Sequence, residues 1–222
     1  MPSLVRGDYQ RAASRQALAG LTTPFAERCC AGAALLASLP VLAGAILIVR
    51  LLSGRPPLVA LRRIGLHGEP FWLFKIRTMW DGPRPARGPL QGWVEYKEEM
   101  EVPEVKHGRD PRVTSRFAAL CRRLSLDELP QFLQVARGTM RLAGPRPMTS
   151  PELDRYYGDA AAEVLSVLPG ITGLWQVLGR NRLTYKQRLR LDLFFVRHHG
   201  WRLYLWILLR TPASVIRGEG AF

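Results

Sequence analysis

The segment from Cys29 to Val49 carries no charged residue and has Pro40 near its middle. No other stretch constrains the chain as much. A run of that length can cross a hydrocarbon core of ~30 Å as a straight helix. Proline removes a backbone donor and clashes with the preceding turn, so it kinks a helix. Bent at Pro40, the helix has two arms of roughly 15 Å each, long enough to reach about half-way through a bilayer. Ser38 can hydrogen-bond a carbonyl left free at such a bend. Arg6, Arg11, Arg15 and Arg28 precede the run, and Arg50, Arg55, Arg62 and Arg63 follow it. Basic flanks are retained in the cytoplasm, so a simple crossing would translocate one of them. The sequence therefore favours a re-entrant hairpin with Ser38 and Pro40 at its bend and both ends cytoplasmic. A kinked transmembrane helix is the alternative. The run starts too late for a cleavable signal, and no small-residue cleavage site follows it.

The chain has 222 residues, enough for one globular domain beside this element. Its formal net charge of +14 implies a polyanionic partner. Nucleic acid, anionic lipid and phosphate-bearing small molecules all qualify on charge alone. The cations are mainly arginine, whose planar fork contacts phosphate bidentately. No helix-turn-helix, zinc-finger or RNP signature is present, so no nucleic-acid partner is expected. Cys29, Cys30 and Cys121 lack zinc-ligand spacing and suggest a reduced, cytosol-facing protein.

Asp127 and Glu128 carry the chemistry. They lie in Arg122-Arg123-Leu124-Ser125-Leu126-Asp127-Glu128-Leu129-Pro130-Gln131, with Gly144-Pro145-Arg146-Pro147 soon after. Of two adjacent carboxylates among arginines, one can attack phosphorus and the other can hold a metal ion. Ser125 and Glu128 have capping-box spacing, and Pro130 suits a first helical turn. This places the dyad at a helix N-terminus, where ionised carboxylates and bound phosphate are both favoured. The two prolines around Arg146 hold it on a stiff backbone.

Leu58 to Arg63 and Phe71 to Met79 read as two strands joined by a Gly-rich turn. Period-two alternation sets Lys75 and Arg77 on one face, as candidate phosphate or headgroup contacts. Trp80 to Asp110 reads as a long loop with an acidic group. The glycines of Gly170 to Gly179 would permit close approach of a ligand. Tyr185 to His199 reads as a helix carrying Asp192. Trp201 to Arg210, apolar with flanking arginines, suits a helix lying among lipid headgroups. Charge and apolar surface alone would also suit a non-catalytic, membrane-anchored polyanion-binding module, but that reading leaves the dyad unexplained.

Taken in order, these segments resemble the bacterial sugar transferases, the small monotopic polyprenyl-phosphate phosphoglycosyl transferases. The matching pieces are the membrane helix around Pro40, Arg63-Ile64-Gly65, Lys75-Ile76-Arg77-Thr78-Met79, Asp110-Pro111-Arg112-Val113-Thr114, Leu124 to Gln131, Gly144 to Pro147, Pro169 to Val177 and Leu191-Asp192. The resemblance covers residues 24–222 and fits the minimal catalytic form.

The resemblance implies a compact monotopic α/β enzyme at the cytoplasmic face of the bacterial inner membrane. Residues 1–23 would be a basic tail, 24–54 the Pro-broken re-entrant helix, and 55–222 a catalytic domain with a short β-hairpin and interfacial amphipathic helices. It implies transfer of a sugar 1-phosphate from a UDP-sugar to polyprenyl phosphate, with release of UMP, initiating lipid-linked glycan synthesis. Asp127 would be the nucleophile that forms a covalent intermediate. Glu128 would bind Mg²⁺ or manage a proton, with Asp192 supporting the metal site. Lys75, Arg77, Arg123 and Arg146 would contact phosphate, and anionic phospholipids would surround the membrane elements. The chain departs from the family pattern at Leu39, Thr139, Leu168 and Tyr204, where Ser, Asp, a basic residue and Asp are common.

Overall fold

The computed structural model describes residues 24–79, 92–98, 113, 115–198 and 200–217. The basic tail, most of the 80–110 loop, His199 and nearly all of the Asp110–Thr114 motif lie outside these residues.

The apolar run forms helix α1, Phe25–Ser53, 29 residues long. Pro40 lies inside it without interrupting the helical run. Proline's φ is compatible with a helix, so its cost is one lost backbone bond and a local clash, ~3 kcal/mol, rather than termination. Pro40 has no N–H for the Leu36 carbonyl. Ser38 Oγ instead donates to the Leu35 carbonyl at 2.9 Å. The helix ends at Gly54, whose left-handed φ of 65° lets its N–H reach the Arg50 carbonyl.

α1 is long and apolar enough to cross a membrane, and only 11% of its most apolar window is buried, so it is no core helix. Leu36, Val41, Leu47 and Leu51 are exposed. One stripe of the helix is nevertheless packed at both ends. Ala31 sits in a cluster with Leu73, Val135 and Met140, while Ala45 and Val49 pack with Ile76, Leu58 and Phe117. These contacts are about 27 Å apart along the axis at 1.5 Å per residue. Both arms of α1 therefore rest on the same globular body.

The predicted hairpin is present as β1, Leu58–Ile64, and β2, Pro70–Ile76, paired antiparallel with Arg62 opposite Trp72. A strand missed in the sequence, β3, Val94–Lys97, pairs parallel to β1 and gives the order β2-β1-β3. Its four residues alternate Val and Tyr with Glu and Lys, a pattern too short to stand out inside a Gly/Pro-rich stretch.

Helix α2, Arg116–Arg123, starts at Ser115, whose side chain accepts from the Phe117 and Ala118 N–H groups. A 3₁₀ turn over Leu126–Gln131 leads into α3, Phe132–Arg137. The short parallel strands β4, Arg141–Ala143, and β5, Gly170–Thr172, form a second sheet. After β5 come α4, Leu174–Leu178, α5, Tyr185–His198, and α6, Trp201–Arg217. α6 continues through Pro212, beyond the expected end at Arg210, and exposes Trp201, Leu205, Leu209 and Ile216.

Glu27, in the first turn of α1, fastens that helix to the rest of the fold. One carboxylate oxygen accepts from the Leu142 N–H at 2.6 Å and from the Tyr204 hydroxyl. The other accepts from Arg141 Nη2 and Nε at 3.0 and 3.1 Å. The Tyr204 oxygen in turn accepts from the Ala143 N–H at 3.2 Å. Tyr204, one of the departures from the family pattern, is thus engaged by α1 and β4 together.

Candidate active site

The dyad lies in the 3₁₀ turn before α3. The expected capping box is absent: Ser125 makes no side-chain cap and adopts a left-handed φ of 55°. Glu128 donates its backbone N–H to the Ser125 carbonyl at 3.1 Å. Its side chain is turned elsewhere, to the Lys75 ammonium at 2.6 Å.

Lys75 is brought there by β2. Gln134, buried in α3, accepts from the Phe74 N–H at 3.3 Å and donates to the Trp72 carbonyl at 2.7 Å. It thereby pairs with the open edge of β2 as a further strand would. Lys75 follows Phe74 and so faces the turn that precedes α3. Its Nζ lies 2.6 Å from Glu128 Oε1 and 3.9 Å from Asp127 Oδ2.

Asp127 is buried. Burial pushes its carboxyl up to about 6, with Lys75 pulling down, Glu128 pushing further up and Arg122 pulling down. Burial works against ionisation of Glu128 too, but Lys75, Arg146 and Arg180 outweigh it and hold this carboxyl below the usual range. One carboxylate of the pair is thus made more basic while its neighbour stays ionised. Burial pushes the nearby Cys121 thiol up to about 11, with the Asp127 charge adding to the effect, which leaves this thiol protonated and unreactive.

The cations around the dyad are only partly those expected. Arg146 faces Glu128, and its guanidinium lies 5.9 Å from the Trp175 ring centroid. Arg123 is exposed. Arg122 acts on Asp127 instead, and its Nε is buried without a partner among the described residues. The reason is helical phase: Arg122 lies four residues after buried Ala118, on the same face of α2. Arg77 is turned away to Glu95 and to the Pro56 carbonyl, 2.7 Å from its Nε, and is 2% exposed. Arg180, absent from the expected set, has a left-handed φ of 47°, and its charge acts on Glu128. Non-glycine residues in that region, Ser125 and Arg180 here, carry backbone strain that concentrates at functional sites.

The Arg146 loop is held by backbone contact. Gly144 donates to the Thr172 carbonyl and Gly170 to the Pro145 carbonyl, both at 2.9 Å. A Cβ on Gly170 would lie 2.1 Å from the Gly144 nitrogen, and one on Gly144 would lie 2.7 Å from the Leu168 carbonyl oxygen. These glycines let two segments of the chain approach each other, where the sequence suggested approach of a ligand. Leu168, which takes the place of a common basic residue, is buried.

Asp192, on α5, is 1% exposed and accepts a 2.8 Å hydrogen bond from the Tyr157 hydroxyl. Burial pushes it up to about 7, against the pull of Tyr157, Arg188 and Arg146.

The sequence profile of the bacterial sugar transferases matches residues 20–218. The chain belongs to the bacterial sugar transferase family. Over 172 residues this sugar transferase is 36% identical to an undecaprenyl-phosphate galactose phosphotransferase of Salmonella typhimurium, a match covering 77% of the chain and 35% of the relative. The exopolysaccharide production protein ExoY of Sinorhizobium fredii is 39% identical over 163 residues, covering 72% of the chain and 70% of the relative. A UDP-glucose:undecaprenyl-phosphate glucose-1-phosphate transferase of Caulobacter vibrioides is 37% identical over 205 residues, covering 86% and 68%. The sugar transferase chain thus spans about a third of the Salmonella protein and about two thirds of the other two.

The donor set bears on the Mg²⁺ that the family resemblance implies. Among the described residues, no three His, Cys, Asp or Glu side chains gather as a metal-binding group. Mg²⁺ is commonly held by one or two carboxylates together with substrate phosphates. Glu128, ionised beside Asp127, fits that pattern. Asp192, bound to the Tyr157 hydroxyl and leaning towards its neutral form, fits it poorly.

Proposed function

We propose that this protein transfers a sugar 1-phosphate from a UDP-sugar to polyprenyl phosphate at the cytoplasmic membrane surface, with Asp127 as nucleophile. The observation that carries the reading is the dyad itself: a buried carboxylate raised in basicity beside an ionised one, with Lys75 in contact and the charges of Arg122, Arg146 and Arg180 acting on the pair. The names of the relatives, which act on undecaprenyl phosphate or in exopolysaccharide production, support the same chemistry.

An Asp127 oxygen attacks the phosphorus that bears the sugar. A new P–O bond forms, the diphosphate P–O bond breaks, and its electron pair leaves with UMP. A polyprenyl phosphate oxygen then attacks the same phosphorus and frees the carboxylate, giving a polyprenyl diphosphate sugar. Burial makes Asp127 a stronger nucleophile than an exposed carboxylate, and at neutral pH most of it is still ionised. Lys75 holds Glu128 in place and sits near the incoming charge. Arg122, Arg146 and Arg180 supply placed donors for the phosphate oxygens. Glu128 would hold Mg²⁺, which would supply neutralisation of the diphosphate charge when bound.

The packing of both ends of α1 on one globular body supports the re-entrant reading. Both helix ends then lie on the cytoplasmic side with the catalytic domain, among anionic phospholipids, and α6 lies in the same surface. A substrate that never leaves the bilayer requires the dyad to sit there.

The test is mass spectrometry of the intact protein incubated with a UDP-sugar and Mg²⁺ but no polyprenyl phosphate. The mass of one sugar phosphate should be added, and peptide mapping should place it on Asp127. An adduct on Glu128 would reverse the assignment.

A further inference from the structure

Arg188 has no part in the chemistry described so far, yet it is held tightly beside it. Its guanidinium lies 4.6 Å from the centroid of the Trp175 ring, the ring that also carries Arg146. It lies 5.1 Å from the Tyr185 ring as well. Tyr185 is itself stacked on Tyr156, with centroids 3.8 Å apart and planes within 6°. Arg188 Nε donates to the Leu183 carbonyl at 3.2 Å. These contacts remove the rotamer freedom that a long cationic side chain normally keeps.

Two guanidinium groups therefore share one buried indole. Like charges at such range repel, and Arg146 together with burial depresses the Arg188 pKa. Tyr185, Tyr157 and Glu152 act in favour of the Arg188 cation, and Asp192, one turn further along α5, acts on both arginines. A site that keeps two cations together in partial burial is suited to an anion of more than one charge. Stacking uses the face of a guanidinium, and phosphate binding uses its edge, so the two are compatible. Arg146 also faces Glu128, so the pair borders the dyad.

We propose that Arg188 is a phosphate-binding residue that acts with Arg146 on a single phosphate group beside the Trp175 indole. This rests on the phosphoglycosyl-transfer reading above. Two phosphate sources enter that site, the donor diphosphate and the polyprenyl phosphate, and each belongs to a separate half-reaction.

The experiment measures both halves on the full-length, detergent-solubilised protein. Adduct formation is followed with a UDP-sugar and Mg²⁺ alone, and discharge of the adduct is followed on adding polyprenyl phosphate. Arg188→Gln, Arg188→Lys and Arg197→Gln are compared, the last removing an exposed charge from the same helix. In Arg188→Gln one half-reaction should need roughly 10- to 100-fold more of its phosphate substrate, about 1.4–2.8 kcal/mol. Arg188→Lys should recover only part of the loss, and Arg197→Gln should match wild type. A raised donor requirement assigns the site to the diphosphate; normal adduct formation with impaired discharge assigns it to the polyprenyl phosphate. If both Arg188 variants keep wild-type concentration dependence in both halves, or lose rate only in proportion to the folded fraction, the proposal is overturned. Absence of UMP release by the wild type would instead remove the reaction on which it rests.

Discussion

Glu27, in the first turn of α1, accepts the Leu142 N–H at 2.6 Å, two residues before the Gly144-Pro145-Arg146-Pro147 loop. The membrane helix and the arginine loop thereby share one anchor. Arg141 and Tyr204 complete it from β4 and α6. Glu27→Gln keeps the shape but replaces an acceptor oxygen with a donor facing other donors. It should destabilise the protein by about 2–4 kcal/mol. Thermal unfolding in detergent should show the loss, and turnover should fall further than the folded fraction accounts for because Arg146 is released.

Asp127→Asn should abolish the covalent adduct and lower turnover by a factor on the order of 10⁴ or more. The near-isosteric amide removes nucleophilicity with little change in volume. Steady-state kinetics of the wild type should be ping-pong. Parallel retention of turnover and of the adduct in the Asn variant would end the covalent mechanism.

The raised Asp127 pKa sets a pH dependence with a definite sign. Its folded value, about 6, lies above the ordinary 3.8. The stability contributed by the neutral form is fully present below about 4 and is lost as pH rises through about 6. The rate of adduct formation should follow the opposite course and fall as the carboxylate is protonated below about 6. Asp127→Asn should then be more stable than wild type at pH 8, by on the order of 1–2 kcal/mol, with the difference shrinking towards pH 4. Unfolding curves at three pH values, set against single-turnover rates, would reveal a mismatch.

Arg146→Lys preserves charge but loses the planar fork. Turnover should fall by about 10²-fold or more, since Pro145 and Pro147 prevent the backbone from re-aiming an ammonium. A loss no greater than that of Arg197→Lys, an exposed position on α5, would mean that bulk charge is what matters.

For topology, Pro24 and Leu51 are exposed positions at the two ends of α1, whereas Ser53 is buried and bonded to the Val49 carbonyl. Single cysteines placed at Pro24 and Leu51, with Cys29, Cys30 and Cys121 removed, should react with a membrane-impermeant maleimide from the cytoplasmic side only. Labelling of the two from opposite sides would establish a span.

The long apolar helix, the hairpin, the carboxylate pair and the stiff Arg146 loop were all legible in the sequence. Each depends on residues close together in the chain: an uncharged run, alternation of period two, two adjacent acids, two flanking prolines. Ser125 shows the limit of such local rules, because the capping box suggested by its spacing gave way once Lys75 offered Glu128 an ion pair. Only the tertiary structure selected Arg122 over Arg123, turned Arg77 to Glu95, and brought Arg180 and Arg188 to the site. It alone joined Glu27 to Leu142 and Tyr204, residues 115 and 177 positions away. Helical phase decides which of two neighbouring arginines faces inward, and the path of the chain decides which distant groups meet. Neither is written in a local pattern, since a charge takes its partner from whatever the packed backbone sets within a few ångströms of it.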